Sequence, residues 1–297
     1  MRSSLLLLVA SLVLHSEPLW RAKPFTEPDS FTAEIEGPAV DRQGYLYAVS
    51  FLRKPTIGRI SPEGRGEIFL EFTNGSLANG IRFDAQGRMF VADYTNHNVL
   101  LVDTKTRSFR VFVHEPRMNQ PNDLAIAPDG TLYASDPDWQ RSTGQLWRID
   151  PRRRVKKIAD GMGTTNGIEV SPDGRKLYVN ESVQRKVWVF DIQAGGDIAN
   201  KRLLVEFPDF GFDGMRCDVL GNLYITRHGK GTVVVVSPQG QILREIDVLG
   251  RYPTNLCFGG PDGKTVYVTE AEQKRVVTFR TDTAGLEWAR WPGNRPQ

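Results

Sequence analysis

Thr165–Asn180, TNGIEVSPDGRKLYVN, joins an amide-glycine pair to a short apolar run, an Asp-Gly turn and a second apolar run. The same passage recurs along the chain. Glu36-Gly37, Asn79-Gly80, Asn122-Asp123, Asn166-Gly167, Asp213-Gly214 and Asn255-Leu256 head six such passages. In each, a turn glycine follows eight residues later: Gly44, Gly87, Gly130, Gly174, Gly221 and Gly263. These glycines lie 43, 43, 44, 47 and 42 residues apart. A repeat in the forties is the mark of a β-propeller, each repeat folding into one four-stranded blade. The predicted fold is all-β: a six-bladed β-propeller of four-stranded antiparallel blades, forming one domain over residues 23–297.

Outward from each turn the chain reads as short strands, four to six residues long, bounded by Gly, Pro, Asp or Asn. Met89-Phe90-Val91-Ala92 and Val99-Leu100-Leu101-Val102 are examples, as are Lys176-Leu177-Tyr178-Val179 and Val187-Trp188-Val189-Phe190. Asp-Gly supplies the positive φ of a tight hairpin. The aromatics that follow it, such as Tyr47, Tyr133, Tyr178, Tyr224 and Tyr267, are expected to pack blade on blade. A weak last strand is expected around Leu286-Glu287-Trp288. The strand that closes the ring would come either from Leu286–Arg290 or from the lead-in near Phe31.

A net charge of +3 is only mildly basic and spread along the chain, so nucleic acid is not indicated. The run Arg152-Arg153-Arg154 with Lys156-Lys157 reads as a solvated hairpin tip. Cys217 and Cys257 occupy apolar positions of their repeats and read as small buried hydrophobes. Residues 1–22 differ in kind: Arg2 precedes an apolar run, Leu5 to Leu14, of the length of a secretory h-region and too short to span a bilayer. Export is the reading of this segment, with an uncleaved interfacial anchor and an ordinary helix as its alternatives. No other stretch could cross a membrane, and oligomeric state has no signal in the sequence.

In a propeller the innermost strand of each blade runs beside the central channel. Residues at its start, in equal phase, share one mouth. Glu36, Asn79, Asn122, Asn166, Asp213 and Asn255 would converge there, two carboxylates among four amides. Without a cation the carboxylates would repel each other. An oxygen-only set with no Cys or His suits one hard divalent cation, Ca2+ first, then Mg2+ or Mn2+, with Zn2+ less favoured. The plainer alternative is a wet polar channel satisfied by water.

Taken together, Pro121-Asn122-Asp123-Leu124, Ser135-Asp136-Pro137, Thr165-Asn166-Gly167-Ile168, Phe212-Asp213-Gly214-Met215 and Pro253-Thr254-Asn255 with Phe258-Gly259-Gly260-Pro261-Asp262-Gly263 resemble the SMP-30/gluconolactonase family. The resemblance covers about residues 30–283. It implies one catalytic divalent ion held by Glu36, Asn166 and Asp213, with Asn122 either a fourth ligand or a contact to substrate. It also implies hydrolysis of a small sugar-type lactone, with Asp213 as general base or nucleophile beside Glu36. Where the animal lactonases carry an Arg shortly before the third-blade Asn, this chain has Gln120-Pro121. Asn79, Asn122 and Asn255 would orient substrate hydroxyls. The loops after the second strands offer Asp93, Asp136, Asp138, Glu181, Arg227, His228 and Glu270, of which Arg227 and His228 are the candidate donors to substrate.

Two other functions fit parts of the pattern. The same site would permit hydrolysis of phosphotriesters or other esters. Tyr94-Thr95-Asn96-His97-Asn98-Val99 resembles the strand turn of NHL-type binding propellers, but one repeat alone reads that way, and the two ring acids count against it.

Overall fold

The computed structural model describes residues 18–294, and they form six four-stranded antiparallel sheets. Blades one to five take their strands in chain order from the channel outward. Blade four, for example, runs Thr165–Val170, Lys176–Glu181, Lys186–Ile192 and Ile198–Glu206. The six turn glycines have φ between +71° and +87°, the left-handed region the Asp-Gly reading requires. Apolar clusters fill the space between neighbouring blades. Tyr47 of blade one meets Phe83 of blade two edge-on at 5.5 Å, and Tyr224 meets Phe258 across blades five and six at 5.0 Å. The post-turn aromatics thus do what the sequence led us to expect.

The ring closes with the N-terminal lead-in, the second of the two expectations, but earlier in it than Phe31. Lys23–Pro24 pairs antiparallel with Val277 and Thr278 as the outer strand of blade six. Phe31 makes a single bridge to Phe51 of blade one instead. Leu286–Ala289 is a short helix, α1, rather than a strand. Leu286 packs into the cluster of blades four and five, and Trp288 lies over Gly263, so α1 sits across the turn end of the channel. Four residues with one buried side chain give too little periodicity to distinguish helix from strand.

Cys217 and Cys257 are buried free thiols. Arg152, Arg153 and Arg154 form an exposed hairpin tip, with Arg154 paired to Asp150 at 2.6 Å. Among the described residues no helix is long and apolar enough to cross a membrane. The apolar run read as a secretory signal, Leu5 to Leu14, lies outside the described residues.

Candidate active site at the channel mouth

The end of each second strand holds the segment that crosses to the inner strand. Asp93 accepts from Ser76 Oγ at 2.8 Å and from the Leu77 amide at 3.3 Å. Asp136 accepts from the Asn119 amide at 2.9 Å and from Trp147 Nε1 at 2.8 Å. Glu181 accepts from the Gly163 amide at 2.8 Å, and Glu270 from the Tyr252 amide at 3.3 Å. All four are buried. These acids therefore bind backbone donors that would otherwise be orphaned, and each fixes the two or three residues before a channel-lining side chain. Blade five inverts the charge. There Arg227 is fully buried, pairs with Asp209 at 2.8 Å and lies 4.2 Å from the centre of the Phe207 ring.

Arg227 thus clamps the crossing segment of blade five. It is turned away from the mouth because Phe207 and Phe212 enclose its guanidinium. His228, the other expected donor, is exposed and packs on Tyr252 with ring centres 5.0 Å apart. Neither lines the mouth.

The inner strands are held level by backbone hydrogen bonds. The Gly80 amide donates to Asn122 O at 2.8 Å, Gly167 to Asp213 O at 3.1 Å and Gly214 to Thr254 O at 2.7 Å. Each bond runs from the residue after one head to the head of the next blade. The head of blade six is therefore Thr254, and Asn255 sits one step deeper. The cause is a longer turn: Phe258 pairs with Val266, eight residues on, whereas Val170 of blade four pairs with Leu177, seven on.

The mouth is a cavity of about 280 Å³ lined by Glu36, Asn79, Asn122, Asn166, Asp213 and Thr254. Five of the six expected residues are brought together. One wall is Tyr94 with Trp139, another Ile35, Leu77 and Ala78. Lys54 is the basic residue among the lining groups, and Glu34 pairs with it at 2.7 Å. The two deeper acids have no such cation. Burial pushes the Glu36 carboxyl up to about 7, nearby Asp123 adding to the effect. Burial, followed by the charge of Glu36, holds Asp213 well above the carboxylate range. Asn166 faces Asp213 closely enough to lower it, donates to Ser182 Oγ at 3.1 Å and keeps Oδ1 buried without a hydrogen-bond partner.

Below the heads, sequence reasoning missed a second tier. Its members are Gly37, Gly80, Asp123, Gly167, Gly214 and Asn255. A Cβ at Gly80 would meet Asp123 Oδ1 at 2.7 Å, and one at Gly214 would meet the Asn255 amide at 2.0 Å. Glycine there makes room for the two side chains that fill the channel. The signal was present: Asn122-Asp123 and Thr254-Asn255 are the two places where the glycine is replaced. Lower still, Arg216 Nη1 donates to Asp123 Oδ2 at 2.9 Å and Arg216 Nε lies 2.9 Å from Glu287 of α1. Arg82 stands 3.6 Å from Asp123 and 3.4 Å from Glu169, and also pairs with Glu287. Burial alone would lower the Arg216 pKa, but Asp123, Glu287 and Glu169 raise it.

Among the described residues no three His, Cys, Asp or Glu side chains form a metal-binding group. A cation at the mouth would have two carboxylates and must draw on amide oxygens. The unpartnered Asn166 Oδ1 and the raised Glu36 and Asp213 are the features such an ion would satisfy. An oxygen-only set of this kind fits a hard divalent cation.

Fold and mouth together define a six-bladed propeller with an acid-and-amide pocket at one end of a plugged channel. The chain belongs to the SMP-30/gluconolactonase/LRE-like family, whose pattern it matches over residues 35–272. It is similar to a gluconolactonase of Zymomonas mobilis, 29% identical over 232 residues, covering 70% of this chain and 64% of that one. A 6-deoxy-6-sulfogluconolactonase of Pseudomonas putida is 30% identical over 177 residues, 58% of each chain. The match thus spans less than two thirds of each of these relatives. A solved gluconolactonase of Xanthomonas campestris shares the fold, with TM-score 0.75 at 23% identity over 87% of this chain and 89% of that one.

Proposed function

We propose that the protein is a divalent-cation-dependent hydrolase that opens a small sugar-type lactone at the mouth. The observation that carries this is the pair of buried carboxyls, Glu36 and Asp213, both raised by burial in a cavity walled by amides. Membership of a family with several relatives named as lactonases supports the substrate class.

Glu36, Asn166 and Asp213 would hold the cation, Ca2+ in preference, with Asn122 as a further ligand or as a contact to substrate. When bound, a divalent cation would keep both carboxylates ionised at neutral pH and polarise an ester carbonyl. Asp213 takes a proton from water as its oxygen bonds to the carbonyl carbon. The ring C–O bond then breaks, and the proton passes to the departing alkoxide, leaving a hydroxy acid. Asn79 and Asn122 hold substrate hydroxyls. Tyr94 and Trp139 form an apolar wall against one face of the ring and, with Leu77 on another side, limit access of bulk water.

The test is metal analysis of the wild type beside Asp213→Asn and Glu36→Gln. Lactone hydrolysis is followed by proton release, with and without chelator, and phosphotriesters are assayed in parallel. One bound divalent ion and chelator-sensitive lactone opening support the reading. Full activity in Asp213→Asn would end it.

A further inference from the structure

We infer that Asn255 is a positioning residue for Glu36: it occupies one carboxylate oxygen from below, so that Glu36 meets a divalent cation through the other oxygen alone. This rests on the reading of the mouth as a cation site. Glu36 Oε2 accepts twice, from the Gly37 amide at 2.6 Å and from Asn255 Nδ2 at 2.9 Å. Oε1 is left as the oxygen for the mouth.

The amide cannot turn over. Leu256 N–H donates to Asn255 Oδ1 at 2.9 Å, and the Asn255 N–H donates to Thr269 Oγ1 at 2.9 Å. Its NH2 group is therefore committed to Glu36 on one side and to Asp123 Oδ2, at 3.4 Å, on the other. Asp123 is itself fixed, since its Oδ1 accepts from the Leu124 amide at 2.8 Å and its Oδ2 from Arg216 at 2.9 Å. Asn255 is 1% exposed and Asp123 fully buried.

The choice of an amide follows from charge. A Lys or Arg at this position would neutralise Glu36 and compete with the cation. An Asp would repel both Glu36 and Asp123. Asn gives a hydrogen bond to a carboxylate with no net charge, which orients the ligand and leaves its negative charge for the ion.

The experiment measures Ca2+ affinity by calorimetry, and the luminescence lifetime of bound Tb3+ in H2O and D2O, on wild type, Asn255→Ala and Asn255→Asp. Val268→Ala, a buried position on the strand paired with Leu256, serves as the packing control. Asn255→Ala should weaken Ca2+ by about 10- to 100-fold. Its bound Tb3+ should carry fewer waters, because Oε2, left with the Gly37 amide as its partner, becomes more available to the ion. Asn255→Asp adds charge but donates no hydrogen bond when ionised, so it should not restore wild-type Tb3+ hydration. Val268→Ala should melt earlier with Ca2+ affinity unchanged. If Asn255→Asp does not fold, Asn255→Ser replaces it, with the same direction expected as for Ala. Wild-type affinity and Tb3+ hydration in the Asn255 variants would overturn the positioning role while leaving the mouth as a cation site. A wild type that binds no divalent cation would overturn both.

Discussion

The two ends of the channel bury charge in opposite ways. At the turn end Arg82, Arg216 and Arg290 are interleaved with Asp123, Glu169 and Glu287, and each arginine finds a carboxylate or carbonyl within hydrogen-bond or ion-pair distance. At the mouth Glu36 and Asp213 are brought together among amides, and their pKa values rise. Paired charges hold a structure closed. Unpaired charges of one sign are a standing cost to the fold, retained where chemistry uses them.

The contrast predicts that substitutions at the two ends fail in opposite senses. Asp213→Asn should lower kcat for lactone opening about 10³-fold, the scale of a lost general base. The cation-free variant should melt no earlier than the wild type, because one member of a repelling pair has become neutral. Proton-release kinetics and calorimetric melting check the two halves. Arg82→Met should do the reverse. Removing one partner of a buried ion cluster costs about 3–5 kcal/mol, which lowers Tm by roughly 10 °C. The folded fraction should keep its kcat within about tenfold, since breaking the plug leaves the mouth acids in place. An Arg82→Met that kept its stability and lost activity would erase the distinction between the ends.

How far this was legible in the chain depended on whether the signal was periodic. The glycine repeat and the phase of Glu36, Asn79, Asn122, Asn166 and Asp213 were readable because blades repeat and the turn glycines mark the register. Asn255 was assigned to the mouth because an extra residue in the Gly259-Gly260 turn shifted the count, and one residue is enough to move a side chain to the next tier. Arg82, Glu169 and Arg216 stood in plain view inside apolar runs, Ile81-Arg82-Phe83, Ile168-Glu169-Val170 and Met215-Arg216-Cys217. Their meaning depends on closure of the ring, which brings three distant strands to one axis. Arg227 was misplaced for the same reason. Only the crossing segment with Asp209 and Phe207 shows why an arginine there is buried.

The comparison also has a pH signature. The Glu36 pKa lies at about 7 in the fold against an ordinary 4.5, and Asp213 is raised as well. The folded state then binds more protons than the unfolded one through this window. The contribution of Glu36 is fully present below about 4.5 and is lost as pH rises through 7, and that of Asp213 has the same sign. Cation-free wild type should melt higher at pH 5.5 than at pH 8 by a few degrees, and Ca2+ should restore the difference at pH 8. In Asp213→Asn the pH dependence should shrink, since one raised carboxyl is gone and the other has lost its like-charged neighbour. An unchanged profile in that variant would assign the effect to groups elsewhere.

The smallest effect separates the acids of the mouth from its walls. Tyr94 and Trp139 line the cavity beside Asp213, and Trp139 lies close enough to the Tyr94 hydroxyl to offset part of the rise that burial gives its pKa. Trp139 is 38% exposed, so its ring is wall and rim rather than core. Trp139→Ala should therefore leave the melting temperature almost unchanged. It removes an apolar face against which a sugar ring would lie in ground state and transition state alike. Loss of such uniform binding raises KM and leaves kcat unchanged. A few-fold rise in KM is expected, on the scale of about 1 kcal/mol for a partly exposed aromatic contact. Steady-state kinetics on one lactone series decides it. A fall in kcat with constant KM would mean that Trp139 acts on the reacting groups through Tyr94, and the division between chemistry at the acids and binding at the walls would have to be redrawn.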